Sequence, residues 1–340
     1  MEGLRKPTEL IVVVITLMTY GCPLQAIVHA CGLDERTVAR WRDRAGHHCQ
    51  KLHQAVVEQA ALDLVHVHAD EIRVNGRKRV AWMGLAMMVS TRLWLAGAIS
   101  LSRDTCLADR LLRQVRACCQ PLRPVLVCTD GWAAYPGSMR RAFREKVNRT
   151  GGRGRTALQM WPELLIATVI KHTRQKRVVE ITGRMTPGTL ARAQELLALA
   201  QGGSVLTTAF SERLNATFRA RLASLTRRCR YAAHRLQTLE TGMDLIGCVY
   251  NFCVVHAELS SSKQVGSACT AAMAAKLTNR VWSITDVLLF RLAPAPWIEP
   301  KRRGRPCKEQ TSVHTCAAAR PSHLRPLLRL RKGVLHASTS

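Results

Sequence analysis

The chain has 340 residues, 47% of them hydrophobic, and 51 Lys and Arg against 23 Asp and Glu give it a net charge of +28. That apolar content excludes a wholly disordered basic protein. The excess charge implies a polyanionic partner, nucleic acid first and an anionic membrane surface second. The membrane reading fails on length, because the longest apolar run near the start covers only residues 10–18, whereas a spanning helix needs about 20. Glu2 and Glu9 also dilute any signal-peptide charge pattern. Thirteen cysteines without a C-x-x-C pair exclude a zinc ribbon or thioredoxin motif, and a reducing, cytoplasmic compartment is expected.

Residues 8–20 read as an apolar helix, which Gly21 and Pro23 break and restart. Residues 24–31 form a short second helix with Leu24, Ile27, Val28 and Cys31 on one stripe. Gly32 turns the chain, Asp34 is placed to cap, and residues 35–45 carry Val38, Trp41 and Arg42 at helical spacing. Two short helices about a glycine turn predict a helix-turn-helix. Its second member presents Arg36, Thr37, Arg40 and Arg42, side chains able to reach phosphates or guanine edges in a major groove. An ordinary helical hairpin with a solvated charged face is the alternative.

The hydrophobic period then shortens. Residues 64–70 read as a strand ending in Asp70, Asn75-Gly76 as a hairpin turn, and residues 82–89 and 93–100 as the next two strands. A helix over 106–117 leads to a strand over 125–128 that ends in Thr129-Asp130-Gly131. Three strands in a meander, a helix and a fourth strand predict an α/β fold, in the order of the ribonuclease H-like fold. Glu71 competes with Asp70, but alternation along a strand sends the two to opposite faces, so one alone is expected in a cleft.

Seven Lys or Arg lie between positions 140 and 155, and four more between 171 and 177, ahead of a short strand over 178–181 and a helix over 187–200. Residues 211–228 predict another helix, buried along Leu214, Phe218, Leu222 and Leu225. Glu212 falls off that stripe, beside Asn215 and Arg219 and near Arg213. Cys248, Cys253 and His256 are the nearest approach to a metal cluster, and their apolar neighbours mark them instead as packing residues of a buried helix. Beyond Pro294, Pro296 and Pro300, residues 301–340 hold ten Lys or Arg and one acid, Glu309. Arg303-Gly304-Arg305-Pro306 resembles an AT-hook, in which arginines exploit a narrow minor groove; a disordered basic tail is the alternative.

Several of these segments recur together in one known family. His68-Ala69-Asp70-Glu71-Ile72, then Thr129-Asp130-Gly131-Trp132 with Tyr135, then Ser211-Glu212-Arg213-Leu214-Asn215 with residues 219–222, resemble bacterial insertion-sequence transposases of the D-D-E type. Tyr250-Asn251-Phe252-Cys253 with His256, and residues 271–275 followed by Val281-Trp282, are similar to the end of that family's catalytic region. The resemblance covers about residues 10–300 and rests on the ordered combination. One departure is that some relatives carry a zinc-binding segment ahead of the helix-turn-helix, and this chain has no such cysteines.

The resemblance implies an enzyme that cleaves a phosphodiester with water and joins the freed 3′-hydroxyl to target DNA. In-line attack on an anionic phosphate calls for two Mg²⁺ ions roughly 3.5–4 Å apart, with Mn²⁺ as a substitute, and hard cations of this kind take carboxylate oxygens. Asp70, Asp130 and Glu212 are the implied catalytic and metal-holding residues, with Asp70 bridging both ions. The expected architecture is α/β, with an all-α helix-turn-helix domain over 1–50 and a ribonuclease H-like catalytic domain over 60–260. A helical extension over 261–300 and the basic tail over 301–340 would follow. Expected partners are double-stranded DNA, as element ends and target, and further copies of the chain on that DNA, with no membrane; the setting is the bacterial cytoplasm, with the nucleoid. Two alternatives are a helix-turn-helix transcriptional regulator, which needs no carboxylate cleft, and a metal-dependent nuclease that does not join strands.

Overall fold

The computed structural model describes residues 6–75, 80–147, 156–174, 177–200, 205–225, 235–261 and 268–293. Met1–Leu292 form one compact unit. The rest of the chain, with Arg303 and Arg305, lies outside the described residues apart from Ala293.

Three helices open the chain, α1 (Thr8–Thr19), α2 (Leu24–Cys31) and α3 (Glu35–His53). Gly32 ends α2 in the left-handed region at φ 59°, which glycine enters without Cβ strain. Asp34 then caps α3 by accepting from the Arg36 and Thr37 amides at 2.9 and 3.2 Å. The third helix runs eight residues beyond its expected end, because Cys49 and Leu52 continue the buried face begun by Val38, Trp41 and Ala45.

The sheet follows as an antiparallel meander of β1 (Val65–Asn75), β2 (Val80–Met88) and β3 (Trp94–Ser100). Next come α4 (Thr105–Cys118), capped by Asp104 at 3.1 Å from the Leu107 amide, and β4 (Val125–Thr129), parallel to β1. After α5 (Ala134–Ala142), a small hairpin of β5 (Arg144–Val147) and β6 (Ala157–Met160) precedes β7 (Leu164–Arg174), parallel to β4, and β8 (Arg177–Met185), antiparallel to β7. The six strands lie in the order β3-β2-β1-β4-β7-β8. The architecture is therefore α/β with a mixed sheet.

Among the later helices, α6 (Leu190–Leu199) covers β4 and β7 through Leu196 and Leu197. Two others, α7 (Ala209–Arg221) and α8 (Leu236–Phe252), position the site. Leu214 and Phe218 of α7 pack with Ile72, Met83 and Leu85 of the meander. Every side chain of α8 from Thr241 to Phe252 is buried. Asn251 closes the free edge of β3, donating to the Trp94 carbonyl at 2.9 Å and accepting from the Trp94 amide at 2.8 Å. A buried edge strand must satisfy those groups, and a carboxamide supplies both partners at once.

The N-terminal helices, expected as a domain of residues 1–50, share the core of the sheet. Ile11, Val14, Trp41 and Leu52 belong to the same apolar cluster as Val67, Leu111, Val127 and Phe252. Gly46 lets α3 lie directly on α8, since a Cβ there would fall 2.3 Å from the Thr241 carbonyl oxygen. Among the described residues, no helix is long and apolar enough to cross a membrane.

Candidate active site

Asp70 stands on β1 one residue beyond the last β1–β4 pair, Ala69↔Thr129, and Asp130 follows immediately after β4. Where parallel pairing stops at the carboxyl end of β4, the next residues of the two strands lie side by side, the usual position for a site in an open α/β sheet. One carboxylate oxygen from each of Asp70, Glu71 and Asp130 lies within 4.8 Å of the other two. The inclusion of Glu71 corrects the expectation that alternation would exclude it. Pairing with β4 has stopped, so the edge of β1 is open on that side and both consecutive side chains reach round it toward Asp130.

Each carboxylate is held differently. Asp70 accepts from Asn215 Nδ2 of α7 at 2.9 Å and from the Glu71 amide at 2.8 Å. Asp130 accepts from the Trp132 amide at 3.1 Å in a turn that leaves its side chain partly exposed. Glu71 is almost fully buried and accepts from Tyr135 Oη at 2.9 Å and from Arg103 Nε at 2.7 Å. The Arg103 guanidinium also lies 3.6 Å from Asp130 and stacks over Trp132, 4.8 Å from the ring centre. A single cation thus bridges two of the three carboxylates.

Glu212 occupies the first turn of α7 and accepts from Thr208 Oγ1 at 2.9 Å. It lies outside the 4.8 Å group, although its charge acts on Asp70. Burial raises the Asp70 carboxyl to about 7, the Glu71 amide opposes the rise, and the charges of Glu71, Asp130 and Glu212 add to it. Burial and then Asp130 raise Glu71, while Tyr135 and Arg103 pull it down. The Tyr135 hydroxyl is held well above its usual value by burial and the facing carboxylates. Concentrated, partly desolvated carboxylate charge with hard oxygen donors could hold a metal ion.

The other expected site residues divide by position. Arg36 and Arg40 are exposed on α3, and Thr37 is half-buried beside them. Arg42 turns away from them, pairs with Asp43 at 2.9 Å and lines a groove with Leu24 and Leu245. Arg213 is exposed and pairs with Glu258 at 2.6 Å, and Arg219 is half-buried. Asn215, expected on DNA, is buried and serves Asp70 instead. Arg103, and Glu71 as a member of the cluster, escaped the sequence reading. No periodicity marks an arginine in the loop before a helix.

A second cluster lies deeper on the same strands. His66, His68 and Cys128 are fully buried, with His66 Nε2 3.1 Å from His68 Nε2 and 3.3 Å from Cys128 Sγ. Burial and the nearby Arg92 cation lower His66 to about 4, and burial raises the thiol to about 12. These groups are neutral, and Arg92 opposes a cation among them. Cys248 donates to the Cys49 carbonyl at 3.1 Å, and neither Cys248, Cys253 nor His256 joins a metal-competent group among the described residues. No protein-family model matches the chain, and no curated protein matches it in sequence.

Proposed function

We propose that the chain is a DNA transposase of the D-D-E type that cleaves element ends and joins the 3′-hydroxyl to target DNA. One observation carries the reading: Asp70 and Asp130 meet where the parallel pairing of β1 and β4 ends, with Glu212 on α7 close enough for its charge to act on Asp70. The strand order β3-β2-β1-β4-β7 supports it, being the ribonuclease H-like order that the resemblance implies. The exposed Arg36 and Arg40 at a capped helix start support a helix-turn-helix reading of α2 and α3. Asp70, Asp130 and Glu212 would hold two Mg²⁺ ions, which when bound neutralise the entering and leaving oxygens of an in-line displacement.

The chain's own residues prepare that chemistry. Asn215 fixes one oxygen of Asp70, and Thr208 fixes one oxygen of Glu212, so both carboxylates are oriented before substrate arrives. Arg103 keeps Glu71 and Asp130 together without a bound cation and screens their repulsion. Arg213 and Arg219, on the helix that carries Glu212, would hold phosphates of the strand being cut. The setting is the cytoplasm, with the nucleoid, and the partners are DNA and further copies of the chain.

The test is a joining assay. Purified full-length protein, terminal-repeat DNA with a labelled end, a target plasmid and Mg²⁺ should yield labelled plasmid. Binding without cleavage would make the chain a regulator, and cleavage without joining would make it a nuclease.

A further inference from the structure

One cleft is separate from the carboxylates. It has a volume of about 330 Å³ and lies between α7, the β2–β3 turn and the segment that follows α8. Three guanidinium groups line it, Arg92 from the turn and Arg213 and Arg221 from two turns of one face of α7. One carboxylate answers them. Glu258 accepts from Arg213 at 2.6 Å and from Arg92 at 3.4 Å, and about half of its side chain is exposed. The lining therefore carries more positive charge than it neutralises.

Three polar atoms of the lining residues, Arg92 Nε, Arg221 Nη1 and His256 Nε2, are buried with no hydrogen-bond partner. Buried polar groups in native proteins find a partner, and two of these three belong to guanidinium groups, which only donate, so the cleft suits something rich in acceptors. Burial and then the cations of Arg213, Arg92 and Arg221 hold His256 near 4, so it faces the cleft as a neutral ring. Arg92 also adopts a left-handed backbone conformation, φ 60°, while its guanidinium stacks on Phe210 at 3.8 Å. Such a conformation in a residue with a Cβ persists only where the surroundings fix it. Glycine would turn the chain more easily but would bring no guanidinium to the cleft.

We propose that this cleft binds the phosphate of a single unpaired nucleotide of a DNA strand. Phosphate offers several acceptor oxygens, the complement of the forked guanidinium groups that line the cleft. The volume admits one nucleotide and excludes a duplex. Phe210 and Tyr250 supply aromatic surface for its base or sugar. Glu258 occupies the arginines when the strand is absent, and its exposure makes it easy to displace. That the phosphate belongs to DNA rests on the transposase reading; that the cleft takes a phosphate ester does not.

The test uses the full chain in chelator without divalent metal, so that cleavage plays no part. Binding of fluorescein-labelled trithymidylate is read by anisotropy, with thymidine monophosphate and inorganic phosphate as competitors. Arg221→Gln and Arg92→Gln should each weaken the trinucleotide by about tenfold, the loss of one charge-assisted contact. Glu258→Gln should strengthen it several-fold. Arg113→Gln, which removes the same charge from an exposed position on α4, should change it by less than twofold. If Arg92→Gln fails to fold, judged by circular dichroism, the Arg221 and Glu258 variants carry the test.

Affinities for Arg221→Gln and Glu258→Gln that both match Arg113→Gln would overturn the proposal. Thymidine monophosphate binding as tightly as the trinucleotide would overturn the strand assignment, leaving a site for a small phosphate ester. A chain that fails the joining assay yet loses trinucleotide binding through Arg221→Gln would keep the cleft and lose the transposase reading.

Discussion

Asp70 sits where its charge is least welcome, and its neighbours show how the fold tolerates it. The Asn215 carboxamide and the Glu71 amide donate to it, while Arg103 draws two other carboxylates toward one cation. Asn215 acts through Asp70, so Asn215→Ala should lower cleavage by about 10–100-fold, as loss of a group that orients a metal ligand usually does. Excess Mg²⁺ should restore part of that loss, which a general folding defect would not allow; titrating the cleavage rate with Mg²⁺ checks it. Arg103→Ala leaves buried Glu71 without its ion partner, a change that costs about 3–5 kcal/mol in comparable pairs. Thermal unfolding should show that cost in chelator and a partial recovery in Mg²⁺. The meeting of Asp70 and Asp130 was legible in the sequence because each follows a readable strand; the place of Glu212 off the buried stripe of its helix was legible too, but the helix does not bring it into the 4.8 Å group. The parts played by Arg103 and Glu71 were not, since they depend on where β4 stops beside β1, and that is a property of two strands together.

Helices α3 and α8 carry predictions of their own. Burial raises Asp244 of α8 to about 7, with the charges of Glu240 and Glu58 adding to the rise. A carboxyl raised in the folded state binds its proton more tightly there than in the unfolded chain, so stability falls as pH climbs from about 4 to 7 and then levels. Asp244→Asn removes that penalty. It should match the wild type near pH 4 and exceed it by about 2–4 kcal/mol at pH 8, measured by denaturant unfolding at both values. On α3, Arg36→Ala and Arg40→Ala should each cost about 1–3 kcal/mol of binding to a preferred duplex if they read bases, and should relax specificity. A uniform loss across sequences in a competition assay would make them phosphate contacts. These measurements belong on the full chain, because α1 to α3 share its core.

Periodicity was a good guide to α4, whose stripe and Asp104 cap are local, and to the three strands of the meander. It failed where tertiary contact decides. The Leu214, Phe218, Leu222, Leu225 spacing predicts a helix to Arg228, yet α7 stops at Arg221 and Leu222 turns extended to lie against Gly242 of α8. The largely apolar run over 164–170 that opens β7 has the length of a buried strand but suits a buried helix segment equally, and parallel pairing with β4 decides between them.

At the scale of the whole molecule, on the transposase reading, the net charge of +28 would govern how DNA is approached and the sheet where it would be cut. Deleting residues 301–340 removes ten cations and one acid, so binding should weaken and the dependence of log affinity on log salt should become shallower. A larger loss on A·T-rich than on G·C-rich duplexes of equal length would match the AT-hook likeness, since the minor groove separates those two classes. Cleavage at saturating DNA should survive the deletion, because the carboxylates lie within Met1–Leu292.

The central claim is that three carboxylates on β1, after β4 and on α7 act together on a phosphodiester. Single-turnover cleavage of end-labelled terminal-repeat DNA in Mg²⁺, at saturating protein, tests it most directly with Asp70→Asn, Asp130→Asn and Glu212→Gln beside the wild type. Each variant should cut more than about 100-fold more slowly, beyond the usual effect of losing an orienting neighbour, while binding the same DNA at least as tightly because a negative charge has gone. Wild-type rates in any one of the three variants would contradict the claim, and in the Asp70 or Asp130 variant they would contradict it at its root.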